Sequence, residues 1–279
     1  MNERQFQLDD LTLHALESGV GQDKVIVALH GWLDNAATYH EMRQHFSDYH
    51  FIALDLIGHG FSDHRPASMP YYIWDNVSDL LRVLDQLGLE KVTLLGHSMG
   101  ASIATLFAGA FPDRVDKLLL VEGLAPLVYA EEALPALMAD AIVKRRRMKS
   151  KKLRPYPDKE TAINVRMQGR WPVSRRAAEW LIERGLQQTL EGYVWRSDPG
   201  LMLPSLLRMS EAQVSAFLQS VTAPVTLYLG DAGIHDESWQ PRIAQLADVK
   251  VVLLPGNHHL HLESKAAKSI AEDIKSVIQ

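Results

Sequence analysis

Gly96-His97-Ser98-Met99-Gly100 is a G-x-S-x-G run standing between an apolar stretch at 92–95 and a small, apolar, helix-forming stretch at 101–111. A serine on a tight strand-to-helix turn projects its hydroxyl clear of the sheet, and flanking glycines relieve the crowding there. The chemistry served is attack on a carbonyl, with the helix N-terminus presenting N–H groups and a positive dipole end to the developing oxyanion. A serine hydroxyl is a weak nucleophile until a base takes its proton. The late run Pro255-Gly256-Asn257-His258-His259-Leu260-His261-Leu262-Glu263 offers one. His258 stands where this loop leaves the last apolar strand and is the preferred base. His259 and His261 read as a surface residue and a packing residue. Such histidines can ligate metal, but no second carboxylate is spaced to join them, so no metal is expected.

The acid that orients the imidazole and stabilises its protonated form has three candidates. Glu122 closes the apolar run Val115–Val121. It is favoured, because an ionised carboxylate at the end of a buried strand needs a partner. Asp231 and Asp236 flank Gly233, the residue three positions beyond Gly230 in the turn after the run 225–229, and both stay open as alternatives. His30-Gly31-Trp32 follows the run Val25–Leu29. The backbone N–H groups of Trp32 and Met99 are the expected oxyanion donors, with the His30 ring bracing the loop.

The elements that must position these residues follow from the hydrophobic pattern. Runs at 6–8 and 11–15 alternate around Asp9-Asp10 as a hairpin. Short continuous apolar runs at Val25–Leu29, 51–56, 92–95, Val115–Val121, 225–229 and 251–254 read as strands covered on both faces. Trp74, Val77, Leu80, Leu81, Leu84 and Leu87 recur at helical spacing before Gly88. Alternating strands and helices give right-handed crossovers and a mostly parallel sheet, whose ligands bind beyond the carboxyl ends of the strands. No convincing strand is expected between Leu124 and Gln219, where prolines punctuate helical pieces. That stretch reads as a helical cap, residues 124–219, inserted after strand six into a core of residues 1–123 and 220–279. Its basic run (Lys144, Arg145, Arg146, Arg147, Lys149, Lys151, Lys152, Arg154) reads as a solvated face, and Met138, Met167, Trp171, Trp180, Tyr193 and Trp195 mostly as the cap's own core.

Composition bounds the alternatives. A chain of 279 residues, 47% hydrophobic and 23% charged, is long enough to bury one large core without staples. With no cysteine it has no disulfides, no thiolate metal site and no cysteine nucleophile. A net charge of −5 gives no general attraction to nucleic acid or an anionic membrane. The polar opening stretch lacks the apolar core of a signal peptide, and no run reaches the roughly 18 apolar residues of a membrane span. A cytoplasmic address is expected. A small-molecule substrate is the expected partner, with no cofactor, nucleic acid or membrane, for a monomer or a homodimer.

The motifs resemble those of α/β-hydrolases over nearly the whole chain. The carriers are His30-Gly31-Trp32, Asp55-Leu56-Ile57-Gly58-His59-Gly60-Phe61-Ser62, the serine run, Phe111-Pro112-Asp113-Arg114-Val115 and the histidine loop. Within that superfamily, Leu29-His30-Gly31-Trp32-Leu33-Asp34-Asn35-Ala36 and Pro255-Gly256-Asn257-His258 are similar to the serine hydrolase-like proteins. The resemblance implies an eight-stranded, mostly parallel sheet covered by helices, and an esterase-type hydrolase. The same fold also leaves open non-hydrolytic chemistry (C–C cleavage or cofactor-free oxygenation) and a non-catalytic ligand sensor, which the lack of an acid at 233 would suit. It implies structural roles for Asp55 and Ser62. The chain departs from the pattern at Asn257, where glycine is usual before the base, and at Gly233, where the acid usually stands. Haloalkane dehalogenases and coelenterazine luciferases resemble it in carrying glutamate at the end of strand six.

Overall fold

The computed structural model describes residues 1–148 and 154–278. Lys149, Lys151 and Lys152 of the basic run lie outside the described residues. Eight strands form one sheet: β1 (Asn2–Leu8), β2 (Leu11–Ser18), β3 (Val25–Leu29), β4 (His50–Leu54), β5 (Val92–His97), β6 (Val115–Val121), β9 (Val225–Ala232) and β10 (Val249–Asn257). Their order is β1-β2-β4-β3-β5-β6-β9-β10. β1 and β2 pair antiparallel, as do β2 and β4; every later pair is parallel. This is the α/β-hydrolase arrangement the resemblance implies. The fourth strand lies at 50–54 rather than 51–56, because Asp55 leaves the ladder to cap a loop.

The central strands β3, β5 and β6 are buried on both faces, as parallel strands under crossover helices must be. β10 departs from that expectation, because it is the edge strand and leaves Val251 and Leu253 exposed. On one face pack the helices Asp75–Gln86, Met99–Ala110 and Glu211–Ser220, through Leu80, Val83, Ile103, Phe107, Val214 and Leu218. On the other, Tyr39, Met42, Phe46, Ile270 and Ile274 cover the sheet from the loop after β3 and from the last helix, Ser264–Val277. Among the described residues no helix is long and apolar enough to cross a membrane.

Between β6 and β9 run the helices Leu134–Met148, Lys159–Met167 and Arg175–Gly185, followed by a two-stranded hairpin, β7 (Leu186–Thr189) and β8 (Gly192–Trp195). The hairpin corrects the expectation that this stretch lacks strands. Its Gln187-Gln188 and half-exposed Tyr193 and Val194 carry no buried alternation that would signal it. Tyr193 and Trp195 pack with Met167 around Ala162, Ile163, Ala178 and Leu181, a small core of this stretch's own. Trp180 packs instead against the second face of the sheet.

Asp55 and Arg184 join this stretch to the sheet. Asp55 is fully buried and accepts from the backbone N–H of Ala36 (2.7 Å) and Phe61 (2.8 Å), and from Arg184 Nε at 2.8 Å. Arg184 also donates to Glu3 on β1 at 2.6 Å. Ser62 Oγ donates to the Asp55 carbonyl (2.6 Å) and accepts from the His14 N–H (2.8 Å). Both residues brace turns, as the resemblance implies.

Candidate active site

Ser98 is the residue between β5 and the helix Met99–Ala110, and it sits at φ 52°, ψ −111°. That region is unfavourable for a residue with a side chain, at about 1–3 kcal/mol. The surroundings impose it: the Ser98 N–H donates to the Val121 carbonyl of β6 (3.0 Å), and its carbonyl accepts from Ser102 in the helix (3.2 Å). The neighbouring glycines permit the close approach. A Cβ on Gly96 would fall 2.5 Å from the Gly100 carbonyl, and one on Gly100 would fall 2.1 Å from the Leu29 carbonyl.

The Ser98 Oγ lies 3.0 Å from His258 Nε2, across 160 residues of chain. His258 Nδ1 lies 3.2 Å from Glu122 Oε2. Glu122 is fully buried, at φ 50° immediately after β6. Its carboxylate also accepts from the N–H of Gly230 (2.7 Å) and of Ile234 (2.9 Å), both in or just after β9. Three donors thus converge on one buried charge, the condition under which a buried carboxylate is tolerated. Serine, imidazole and carboxylate therefore form one continuous hydrogen-bonded line, with the ring held by its far nitrogen.

The other two carboxylate candidates point elsewhere. Asp231 accepts from the Gly256 N–H (2.9 Å). Asp236 caps a short helical turn by accepting from the Ser238 N–H (2.9 Å). Neither forms a hydrogen bond to His258.

The loop after β3 presses on the nucleophile turn. A Cβ on Gly31 would come within 3.3 Å of Ser98 Cβ. Asp34 N–H donates to the Gly31 carbonyl (3.1 Å), closing a turn with Leu33 at φ 63° that carries Trp32. Met99 opens the helix, and a first helical N–H has no intrahelical acceptor. His30 is fully buried: Nδ1 lies 2.7 Å from the Gly31 carbonyl, and Nε2 accepts from the Leu56 N–H at 3.0 Å. Burial pulls its pKa to about 4, so the ring is a neutral brace.

The histidine loop differs from expectation in one respect. His259 is buried at 7% exposure, not a surface residue, because Asp34 and Arg166 enclose it. Its Nε2 lies 3.3 Å from Asp34 Oδ2 and 3.2 Å from Arg166 Nη2, while Arg166 Nη2 donates to Asp34 Oδ1 at 3.1 Å. Burial alone would raise the Asp34 carboxyl; Arg166 and His259 outweigh it and hold that group well below the usual carboxylate range. Burial lowers His259 despite the pull of Asp34. His261 is buried, with Nε2 2.9 Å from Thr38 Oγ1. His97, also buried, has its Nε2 2.9 Å from the His258 carbonyl and so anchors the loop's backbone. Burial, reinforced by His261, His258 and His259, pushes His97 well below its ordinary range. Trp171 lays its ring 5.4 Å from that of His258.

Asn257 anchors the loop by donating its side-chain amide to the Pro172 carbonyl (2.9 Å); neither this role nor the parts played by Asp34 and Arg166 can be read from the sequence. Asp34 lies inside the recognised loop motif, which was the available signal; Arg166 had none, since its partner is 132 residues away.

The model for the alpha/beta hydrolase fold matches residues 24–176, more than half of the chain. A serine hydrolase-like protein of Dictyostelium discoideum is 28% identical over 261 residues, covering 88% of this chain and 72% of the relative. A hypothetical protein from Pseudomonas aeruginosa superposes with a TM-score of 0.94 at 36% identity, covering 99% of each chain. The thioesterase domain of the curacin biosynthetic pathway superposes with a TM-score of 0.88 at 26% identity, again over 99% of each. With the sheet order, the serine turn and the motif match in agreement, the chain belongs to the alpha/beta hydrolase fold family.

Proposed function

We propose that this protein is a serine hydrolase that cleaves carboxylic esters of small to medium acyl groups through an acyl-enzyme. The observation that carries the reading is the line Glu122–His258–Ser98, with distances of 3.2 and 3.0 Å. Ser98 Oγ attacks the carbonyl carbon as its proton passes to His258 Nε2. The N–H groups of Trp32 and Met99 receive the oxyanion, and Glu122 stabilises the imidazolium. His258 then protonates the departing alcohol as the C–O bond breaks, leaving an acyl group on Ser98. Water, deprotonated by the same imidazole, attacks that acyl group; the acid product leaves and Ser98 recovers its proton.

The cap expected at residues 124–219 ends in this reading before the helix Glu211–Ser220, which packs on the sheet; the part before it acts as a cap over the strand ends, with Trp171 as its wall against His258. The protein works without a cofactor or metal, on a small molecule in the cytoplasm. The glycine at 233 does not favour a non-catalytic ligand sensor, because the Glu122 carboxylate occupies the space in front of it. A thioester is the second substrate class, favoured by the likeness to the curacin thioesterase domain over 99% of the chain.

The test is pre-steady-state hydrolysis of p-nitrophenyl acetate and butyrate, with trapping of the acylated protein by mass spectrometry. An acyl adduct on Ser98 that turns over is expected; absence of both adduct and turnover on esters and thioesters would overturn the reading.

A further inference from the structure

We infer that Arg166 is a positioning residue which draws the oxyanion turn and the base loop together, so that the two halves of the catalytic centre assemble only under the stretch that carries it. The inference rests on the acyl-transfer reading above and names a residue that acts through others.

Arg166 lies on the helix Lys159–Met167, outside the sheet core. Its guanidinium is engaged on two nitrogens: Nη2 meets Asp34 Oδ1 (3.1 Å) and His259 Nε2 (3.2 Å), and Nη1 donates to the Trp171 carbonyl at 3.5 Å. Asp34 closes the turn that carries the Trp32 N–H. His259 is the residue after the proposed base. One cation therefore bridges the donor of the oxyanion pocket and the carrier of the imidazole.

The contacts around Arg166 point the same way. The Asn257 side-chain amide donates to the Pro172 carbonyl (2.9 Å) and its Oδ1 accepts from the His259 N–H (2.8 Å). Glu263 accepts from the Ser174 N–H at 2.9 Å. Leu262 leaves the sheet's own clusters and packs among Ala162, Ile163 and Val173. From residue 257 to 263 the base loop is thus seated on the stretch 159–174 as much as on the sheet. Within that seat the Arg166–Asp34 pair is 17% and 6% exposed, shielded enough for its geometry to be held firmly.

The experiment compares wild type with Arg166→Met, Arg166→Lys and the double variant Asp34→Asn/Arg166→Met. Two readouts are used: the rate at which a fluorophosphonate labels Ser98, and kcat and KM for p-nitrophenyl acetate. A small misplacement of catalytic groups typically costs about 100-fold, so Arg166→Met should lose at least about tenfold in kcat and labelling rate, with KM within about twofold. Arg166→Lys should recover part of the loss. The double variant leaves no unpaired buried charge; it carries the test if the single variant does not fold, and it should stay slow. A wild-type labelling rate in Arg166→Met or in the double variant, or a loss confined to KM, would overturn the inference. If wild type itself is not labelled, the proposed hydrolase activity falls and this inference with it; labelled wild type beside equally labelled variants removes the inference alone.

Discussion

A Cβ placed on Gly233 would lie 2.1 Å from Glu122 Oε1 and 2.5 Å from its Cδ. The two positions compete for one volume. A side chain at 233, where the resemblance puts the acid, cannot coexist with a carboxylate reaching in from the end of β6. Glycine at 233 is therefore the structural counterpart of glutamate at 122, and the departure from the family pattern and the candidate acid are one feature.

Gly233→Ala should displace the Glu122 carboxylate from His258 Nδ1 and lower kcat by about 100-fold with little change in KM. The exchange Glu122→Ala/Gly233→Asp should be faster than Glu122→Ala alone, because it returns an acid to the vacated volume. Steady-state kinetics on p-nitrophenyl acetate checks both.

Glu122→Gln keeps the shape but removes the charge that holds the ring's tautomer. A kcat lower by about 10⁴ is expected, the scale reached when the orienting carboxylate of a serine triad becomes an amide. KM should hold. The melting temperature should also fall, since the N–H groups of Gly230 and Ile234 lose an ionised acceptor.

The buried histidines set a stability profile. Burial lowers His30 from 6.5 to about 4 and His59 from 6.5 to about 3. A histidine depressed in the folded state takes up its proton more readily when unfolded, so stability is full above about pH 6.5 and declines as pH falls toward the folded values. The His30 shift alone corresponds to about 3 kcal/mol across that window. Urea unfolding at pH 7.5, 6 and 5 should show a steady decrease, and His59→Phe should flatten it.

Asp55→Asn should destabilise the protein by about 3–5 kcal/mol, because Arg184 is then left buried without its full partner. The activity of the remaining folded molecules should change far less than in Glu122→Gln. Denaturant titration beside active-site titration separates the two effects.

Local chemistry decides which parts are readable from the chain alone. Strands buried on both faces leave continuous apolar runs, so Val25–Leu29 and Val115–Val121 match their observed limits. Ser98 and His258 stand at strand ends, which the hydrophobic pattern locates well. Glu122 required an argument about burial, because the usual acid position holds glycine. The hairpin Leu186–Thr189/Gly192–Trp195 left no trace, since only Leu186 of its residues is buried. His259 could not be told from a surface histidine, for its burial depends on Arg166 reaching across from a distant helix. Pairings of that kind are set by tertiary packing rather than by any local period.

In the proposed reaction the Ser98 hydroxyl is an activated nucleophile served by His258. Incubation of the folded wild type, Ser98→Ala and His258→Ala with a fluorophosphonate, read by intact mass and peptide mapping, tests it most directly. One adduct at Ser98 in wild type, none in Ser98→Ala and far slower labelling in His258→Ala are predicted; a folded wild type that takes up no label, or takes it up elsewhere, contradicts the account.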